Sequence, residues 1–163
     1  MASINGAKLA VLCRPDDYVE PKWAEFPLIK IPVMQYGLLP ELLAAADVVA
    51  IPQLDTEGAR YQMPMKVYDA MAMAKPIVAS AVSDLPQVLD GCAKLVSPGN
   101  VNELADAISR LLQNPAEGRL LGERARKKCL DKYSMQSVAK PLSKAVDLAL
   151  KSGPHSQPVF ADR

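Results

Sequence analysis

A lysine and an aspartate three residues apart at the start of a helix can hold an anion and a neighbouring hydroxyl. Residues 64–80 read PMKVYDAMAMAKPIVAS and offer that pair. Pro64 suits the first turn of a helix, where its missing N–H is not needed. Lys66 and Asp69 then fall on one face near the helix N-terminus. A cation beside a helix N-terminus favours an anion such as a phosphate, and the carboxylate one turn on can accept hydrogen bonds from hydroxyl groups. The combination fits a sugar-nucleotide pocket. Upstream, residues 53–63 form a polar stretch containing Glu57, Gly58, Arg60 and Tyr61. In a parallel sheet such a loop leaves the carboxyl end of a strand, where ligands bind.

The elements that must position these residues follow from the apolar pattern. Val67, Ala70, Met71 and Ala74 form the inward stripe of the helix. Met63, Met65, Met71 and Met73 read as core filling or a flexible pocket wall. Lys75-Pro76 ends the helix, because the proline ring cannot continue it, and Ile77-Val78-Ala79 is a short β-prone run. Before it, LLPELLAAAD at 38–47 predicts a helix with Pro40 at its start and Leu39, Leu42, Leu43 and Ala46 facing inward. Residues 47–52 predict a buried strand ended by Pro52. A helix feeding directly into such a strand is half of a βαβ unit.

Residues 9–13 are an unbroken apolar run, the pattern of a buried parallel strand. Residues 14–26 read as irregular, with prolines, charges and Trp23, and 28–31 as an edge strand flanked by prolines. Downstream, Ser83 is expected to cap a short helix to Leu89, followed by a strand at 93–96 and a turn at 97–100. VNELADAISRLL at 101–112 keeps helical spacing throughout. Pro115 opens a second helix to about Lys132, whose basic run from Arg124 to Lys128 reads as a solvated face. Ser134 caps a last helix to about Leu150, with Pro141 expected to kink it. Short strands alternating with amphipathic helices imply an α/β fold: a Rossmann-like, mainly parallel sheet in three layers, with helices on both faces. The expected organisation is a flexible start (1–7), one domain (8–150) and a disordered tail (151–163).

Composition narrows the function classes. The 163 residues suit one domain, half of them apolar and 23% charged, and the formal net charge is +1. That balance gives no argument for nucleic acid. Cys13, Cys92 and Cys129 are far apart and odd in number, with only His155 to assist, so a metal site or disulfide framework is not indicated. Reduced thiols in a cytoplasmic protein are the expectation. No leader pattern or apolar run of membrane-spanning length is visible.

From about residue 38 to 150 the chain resembles the C-terminal, donor-binding domain of group 1 (family 4) glycosyltransferases, which have the two-domain GT-B architecture. The residues that carry the resemblance are ELLAAADVVAIP at 41–52, TEG at 56–58, PMKVYDAMAMAKPIVAS at 64–80, LPQVL at 85–89, LVSPGNVNELADAISRLL at 95–112 and the closing helices. The resemblance implies one half of a GT-B fold. It also implies transfer of a sugar, with retention, from a nucleoside-diphosphate sugar to an acceptor hydroxyl, with no cofactor and no obligatory metal. Lys66 matches the lysine that neutralises the diphosphate. Asp69 stands where the family usually has a ribose-binding glutamate. Glu57 resembles the acid that meets the donor sugar, in the catalytic role, and Gly58 and Arg60 follow it in the loop that faces the phosphates.

The chain also departs from the family. The two acidic positions are normally eight apart, whereas Glu57 and Asp69 are twelve apart, and spacing alone would put Tyr61 in place of the acid. The glycine-arginine…lysine phosphate clamp is not recognisable, since Arg14 and Lys22 follow a strand at the wrong spacing. The expectation is that these residues do not include the acceptor-binding domain. The expected partners are therefore a nucleotide-sugar donor and an acceptor domain or partner chain, through which any peripheral membrane contact would come. The alternative is a degenerate, non-catalytic module of the same fold, self-associating through its apolar last helix.

Overall fold

Ile77–Ser80 forms strand β4, and all four of its residues are buried. Its side chains alternate between two covered faces. Ile77 and Ala79 pack with Val67, Ala70 and Met71 of helix α3 (Lys66–Ala72), with Leu85, Val88 and Leu89 of α4 (Leu85–Leu89), and with Ala125 and Cys129 of α6 (Pro115–Lys132). Val78 joins a second cluster with Val96 of β5 (Lys94–Val96), Leu111 of α5 (Val101–Gln113) and Leu121 of α6. Full burial of a side chain of this size contributes roughly 1.5–3 kcal/mol, so β4 is where the fold gathers its stability.

The computed structural model describes residues 6–13, 28–32 and 36–151. Strand β3 (Val49–Ile51), β4 and β5 form a parallel sheet in that order, with Val49 opposite Ile77 and Ala79 opposite Leu95. Strands β1 (Leu9–Cys13) and β2 (Leu28–Pro32) form a separate parallel pair, Leu9 opposite Leu28. Helix α1 (Leu39–Ala45) carries Pro40 in its first turn. Helix α2 is the single turn Glu57–Arg60, and α7 (Met135–Lys151) closes the described chain. The α/β architecture with helices on both faces is as the sequence implied.

Cations close three helix ends. Lys75 donates to the carbonyls of Ala44 and Ala46 at the end of α1, at 2.7 and 3.0 Å. Arg126 donates to Ala72 O at the end of α3, and Lys128 to Gln87 O and Asp90 O at the end of α4. The last carbonyls of a helix lack intrahelical partners and carry the negative end of its dipole, so each pairing offsets both. Ala74, in the left-handed region at φ 54°, ends α3 and lies against α6. A Cβ on Gly122 would meet Ala74 O at 2.0 Å, so only glycine permits this approach.

Several expectations need correction. β1 is parallel but not buried: Leu9 and Leu12 are 40% and 45% exposed, because among the described residues the strand's principal partner is β2 and not a covering helix. Residues 53–63 are not all loop, since Thr56 caps α2. Ser83 does not cap α4; it sits at φ 54°, and Asp84 precedes the helix with no side-chain cap. Helix α3 starts at Lys66 and not at Pro64. Of the four methionines, Met71 is fully buried and Met65 is exposed. The basic run on α6 is a largely exposed face, as expected, from which Arg126 and Lys128 also bond carbonyls. Ser134 does cap α7, accepting from Ser137 N, and Pro141 lies inside that helix. Cys92 and Cys129 are buried. Arg14, Lys22, Trp23, His155 and the tail from 152 lie outside the described residues.

Candidate functional site

The loop leaving β3 is tied down residue by residue. Gln53 N donates to Ser80 Oγ at 2.9 Å, joining the exit of β3 to the end of β4. Thr56 N then bonds Leu54 O, and Thr56 Oγ1 accepts from Ala59 N at 3.2 Å, which starts α2. A threonine cap of this kind satisfies an orphan N–H and stabilises a turn too short to hold itself. Asp55 and Arg60 close the turn from both ends. Arg60 Nε donates to Asp55 Oδ1 at 2.7 Å and Nη2 to Oδ2 at 3.0 Å. This pairing holds the Asp55 carboxyl below its usual range and raises Arg60.

Within that turn Glu57 is the first helical residue and is exposed, and Gly58 follows it, exposed. A Cβ on Gly58 would meet nothing within 4 Å, so the backbone there stays open to approach. Tyr61, the alternative to Glu57, is 87% exposed just after α2.

Helix α3 supplies the other half of the site. Val67, Ala70 and Met71 are wholly buried, and this orients the remaining face outward. Lys66 is the first residue of α3 and is exposed, with no ion pair among the described residues. Asp69 lies in the same first turn and is half-buried, and its carbonyl accepts from Met73 N. The structure thus puts Lys66 and Asp69 on one helix, and Glu57, Gly58 and Arg60 on the turn that precedes it in the chain. It leaves Arg60 already engaged by Asp55.

A cavity of about 190 Å³ opens at the carboxyl ends of β3, β4 and β5, lined by Gln53, Leu54, Ser80, Ser97 and Asn100 among others. Gln53 Oε1 is buried there with no protein partner. None of Glu57, Lys66 and Asp69 lines it. The cavity was not visible to sequence reasoning, and neither was the part played by Asp55. The available signal for Asp55 was an opposite charge bracketing a cap-forming threonine.

Other chemistry is weaker. Burial pushes the Cys92 and Cys129 thiols up, so neither is a ready thiolate. Among the described residues no group of three or more His, Cys, Asp or Glu could hold a metal, and no helix is long and apolar enough to cross a membrane.

Comparison with known proteins identifies the family and the fold. Residues 20–114 match the family described as Glycosyl transferases group 1. The MMP alpha-(1->4)-mannosyltransferase of Mycolicibacterium hassiacum is 40% identical over 139 residues, covering 81% of this chain and 33% of that protein. The alpha-maltose-1-phosphate synthase of Mycobacterium tuberculosis is 32% identical over 113 residues, covering 63% of this chain and 27% of that protein. This chain therefore spans about a third of the curated relatives it matches. In fold it is similar to sucrose-phosphate synthase from Thermosynechococcus elongatus, with a TM-score of 0.70 at 24% identity over 77% of this chain and 31% of that one. It is also similar to Anabaena Alr3699/HepE in complex with UDP-glucose, with a TM-score of 0.62 at 18% identity over 76% of this chain and 33% of that one.

Proposed function

This chain belongs to the group 1 glycosyl transferases, and we propose that it is the donor-binding half of such an enzyme. The observation that carries the reading is the outward face of α3. The buried stripe of α3 leaves Lys66 exposed and Asp69 half-buried in one helical turn, inside the matched region, and this supports the reading. Lys66 takes the diphosphate of a nucleotide sugar, Asp69 accepts hydrogen bonds from the ribose hydroxyls, and Glu57 meets the sugar. Aspartate is one methylene shorter than glutamate, so the ribose sits closer or a water bridges the gap.

In the proposed reaction the bond between the anomeric carbon and the diphosphate breaks, and negative charge develops on the leaving group. Lys66 and Arg60 offset that charge where it appears, and such interactions accelerate the step. The acceptor hydroxyl bonds to the same face of the anomeric carbon and gives up its proton to a group of the acceptor domain. That domain comes from another segment or chain, as the coverage of about a third of each relative supports. The reading includes a cytoplasmic setting, for which the two buried free thiols are support. It assigns the chain no resident cofactor.

Calorimetric titration with uridine and guanosine diphosphates tests this. Binding of one of them, weakened about tenfold or more by Lys66→Ala, is expected from the loss of a charge-assisted contact. No binding at millimolar ligand, with no effect of Lys66→Ala, would sink the proposal.

A second reading, a non-catalytic interaction module, draws on α7. None of its residues is buried, and Met135, Leu142, Leu148 and Leu150 are all exposed. A monomer in analytical ultracentrifugation at high concentration would count against self-association.

A further inference from the structure

We propose that Asp55 is a positioning residue for the donor: it clips Arg60 from the side, closes the turn that carries Glu57 and Gly58, and leaves the end-on edge of the guanidinium for the diphosphate. This rests on the donor-binding reading above. A guanidinium presents five N–H donors on a rigid planar fork. Asp55 takes the Nε edge, one oxygen at 2.7 Å on Nε and the other at 3.0 Å on Nη2. Both N–H groups of Nη1 and the second of Nη2 remain, and of these one Nη1 N–H and the Nη2 N–H share the end-on edge that suits a second bidentate anion.

The pair lies on the surface, its side chains 61% and 48% exposed. Exposed ion pairs contribute little to stability, so the bond's consequence is orientation. A four-residue helix cannot sustain itself. Besides the cap at Thr56, the Asp55–Arg60 bridge is what spans this one from the residue before the cap to its last residue. A long arginine that is already held gives up less freedom when it meets a ligand, and preorganisation of this kind raises affinity. The bound carboxylate also removes part of the cation's charge, which opposes the gain. In this proposal the gain from positioning exceeds that loss.

The experiment uses the full chain and uridine diphosphate, with affinity measured by calorimetry and the Arg60 Nε–H followed by nitrogen-15 NMR. In the wild type that N–H gives a separate, slowly exchanging signal, and Asp55→Asn collapses it into the exposed arginines. Asp55→Asn weakens binding about fivefold, Arg60→Lys does the same by losing the fork, and the double variant is no weaker than either single one. Thermal midpoints stay close to the wild type, which a purely structural role would not allow. Binding as tight as the wild type, or tighter, in Asp55→Asn overturns the proposal, because Asp55 is then idle or competes with the phosphate. In that case the effect of Lys66→Ala persists and the donor-binding reading survives. If the wild type binds no diphosphate, both fall.

Discussion

Two sets of parallel strands in this chain resemble one another in sequence and differ in what covers them. β4 reads IVAS and is buried throughout, with α3, α4 and α6 packed against Ile77 and Ala79, and Leu111 of α5 beside Val78. β1 reads LAVLC and pairs in register with β2, yet Leu9, Leu12 and Ile29 are 40–46% exposed. Parallel strands are stable when helices cover both faces. An apolar run therefore states a demand for cover and does not show that the cover is supplied. The helices repeat the contrast. α6 buries Leu121, Ala125 and Cys129, whereas α7 buries nothing despite Val138, Leu142 and Val146 at helical spacing. The proposed donor site sits on the covered side of this divide, where α3 cannot shift without disturbing β4.

The largest test of that contrast is the approach of α6 to the end of α3. Gly122→Val is expected to destabilise the chain by about 3 kcal/mol or more, since the new side chain overlaps the Ala74 carbonyl. Gly58→Ala, with open space around it, should stay within about 0.5 kcal/mol. Urea melts of both variants decide it, and equal midpoints would remove the close approach. Next, Ile77→Ala should cost about 3 kcal/mol from the cavity it leaves. Ile29→Ala in the exposed pair should cost about 1 kcal/mol or less. Similar losses at both positions would mean that β1 and β2 are covered after all.

A smaller effect belongs to the cap of α6. Asn114 Oδ1 accepts from Glu117 N at 3.2 Å, and Asn114→Ala should cost about 1 kcal/mol in the same melts. Glu117 also binds Lys94 at 2.6 Å and Arg110 at 3.0 Å, and these partners hold its carboxyl below the ordinary 4.5. A carboxylate depressed in the folded state contributes stability above its unfolded value and loses it as pH falls through the folded one. Glu117→Gln should therefore flatten the stability curve below about pH 4.5 and leave its slope near neutrality unchanged. The smallest effect is expected on α7, where Leu142→Ser should move stability by no more than about 0.5 kcal/mol. A large loss there would show that the helix is covered.

The parts that the sequence made legible are those with long periods and clear caps. α5, α6 and α7 fall where Asn100, Asn114 and Ser134 cap them, with Pro115 at the start of α6. β4 and the face of α3 were legible because one apolar stripe leads straight into another. α2 was not, since four residues carry no period and the turn depends on Thr56 and on a bridge from Asp55 to Arg60. Ser83 misled because serine is a common cap, and its left-handed backbone leaves no mark in composition. The exposure of β1 could not be read either, because burial depends on a partner. In the candidate site, the three-residue spacing was enough to place Lys66 and Asp69 on one helix. The engagement of Arg60 by Asp55 needed the folded turn.

The most direct test of the central claim is a nitrogen-15 shift map of the chain titrated with uridine or guanosine diphosphate. Saturable shifts confined to Glu57, Gly58, Arg60, Lys66 and Asp69 and their neighbours, lost in Lys66→Ala, are the predicted result. Shifts centred on α7 or spread without saturation over the basic surface of α6 would contradict it.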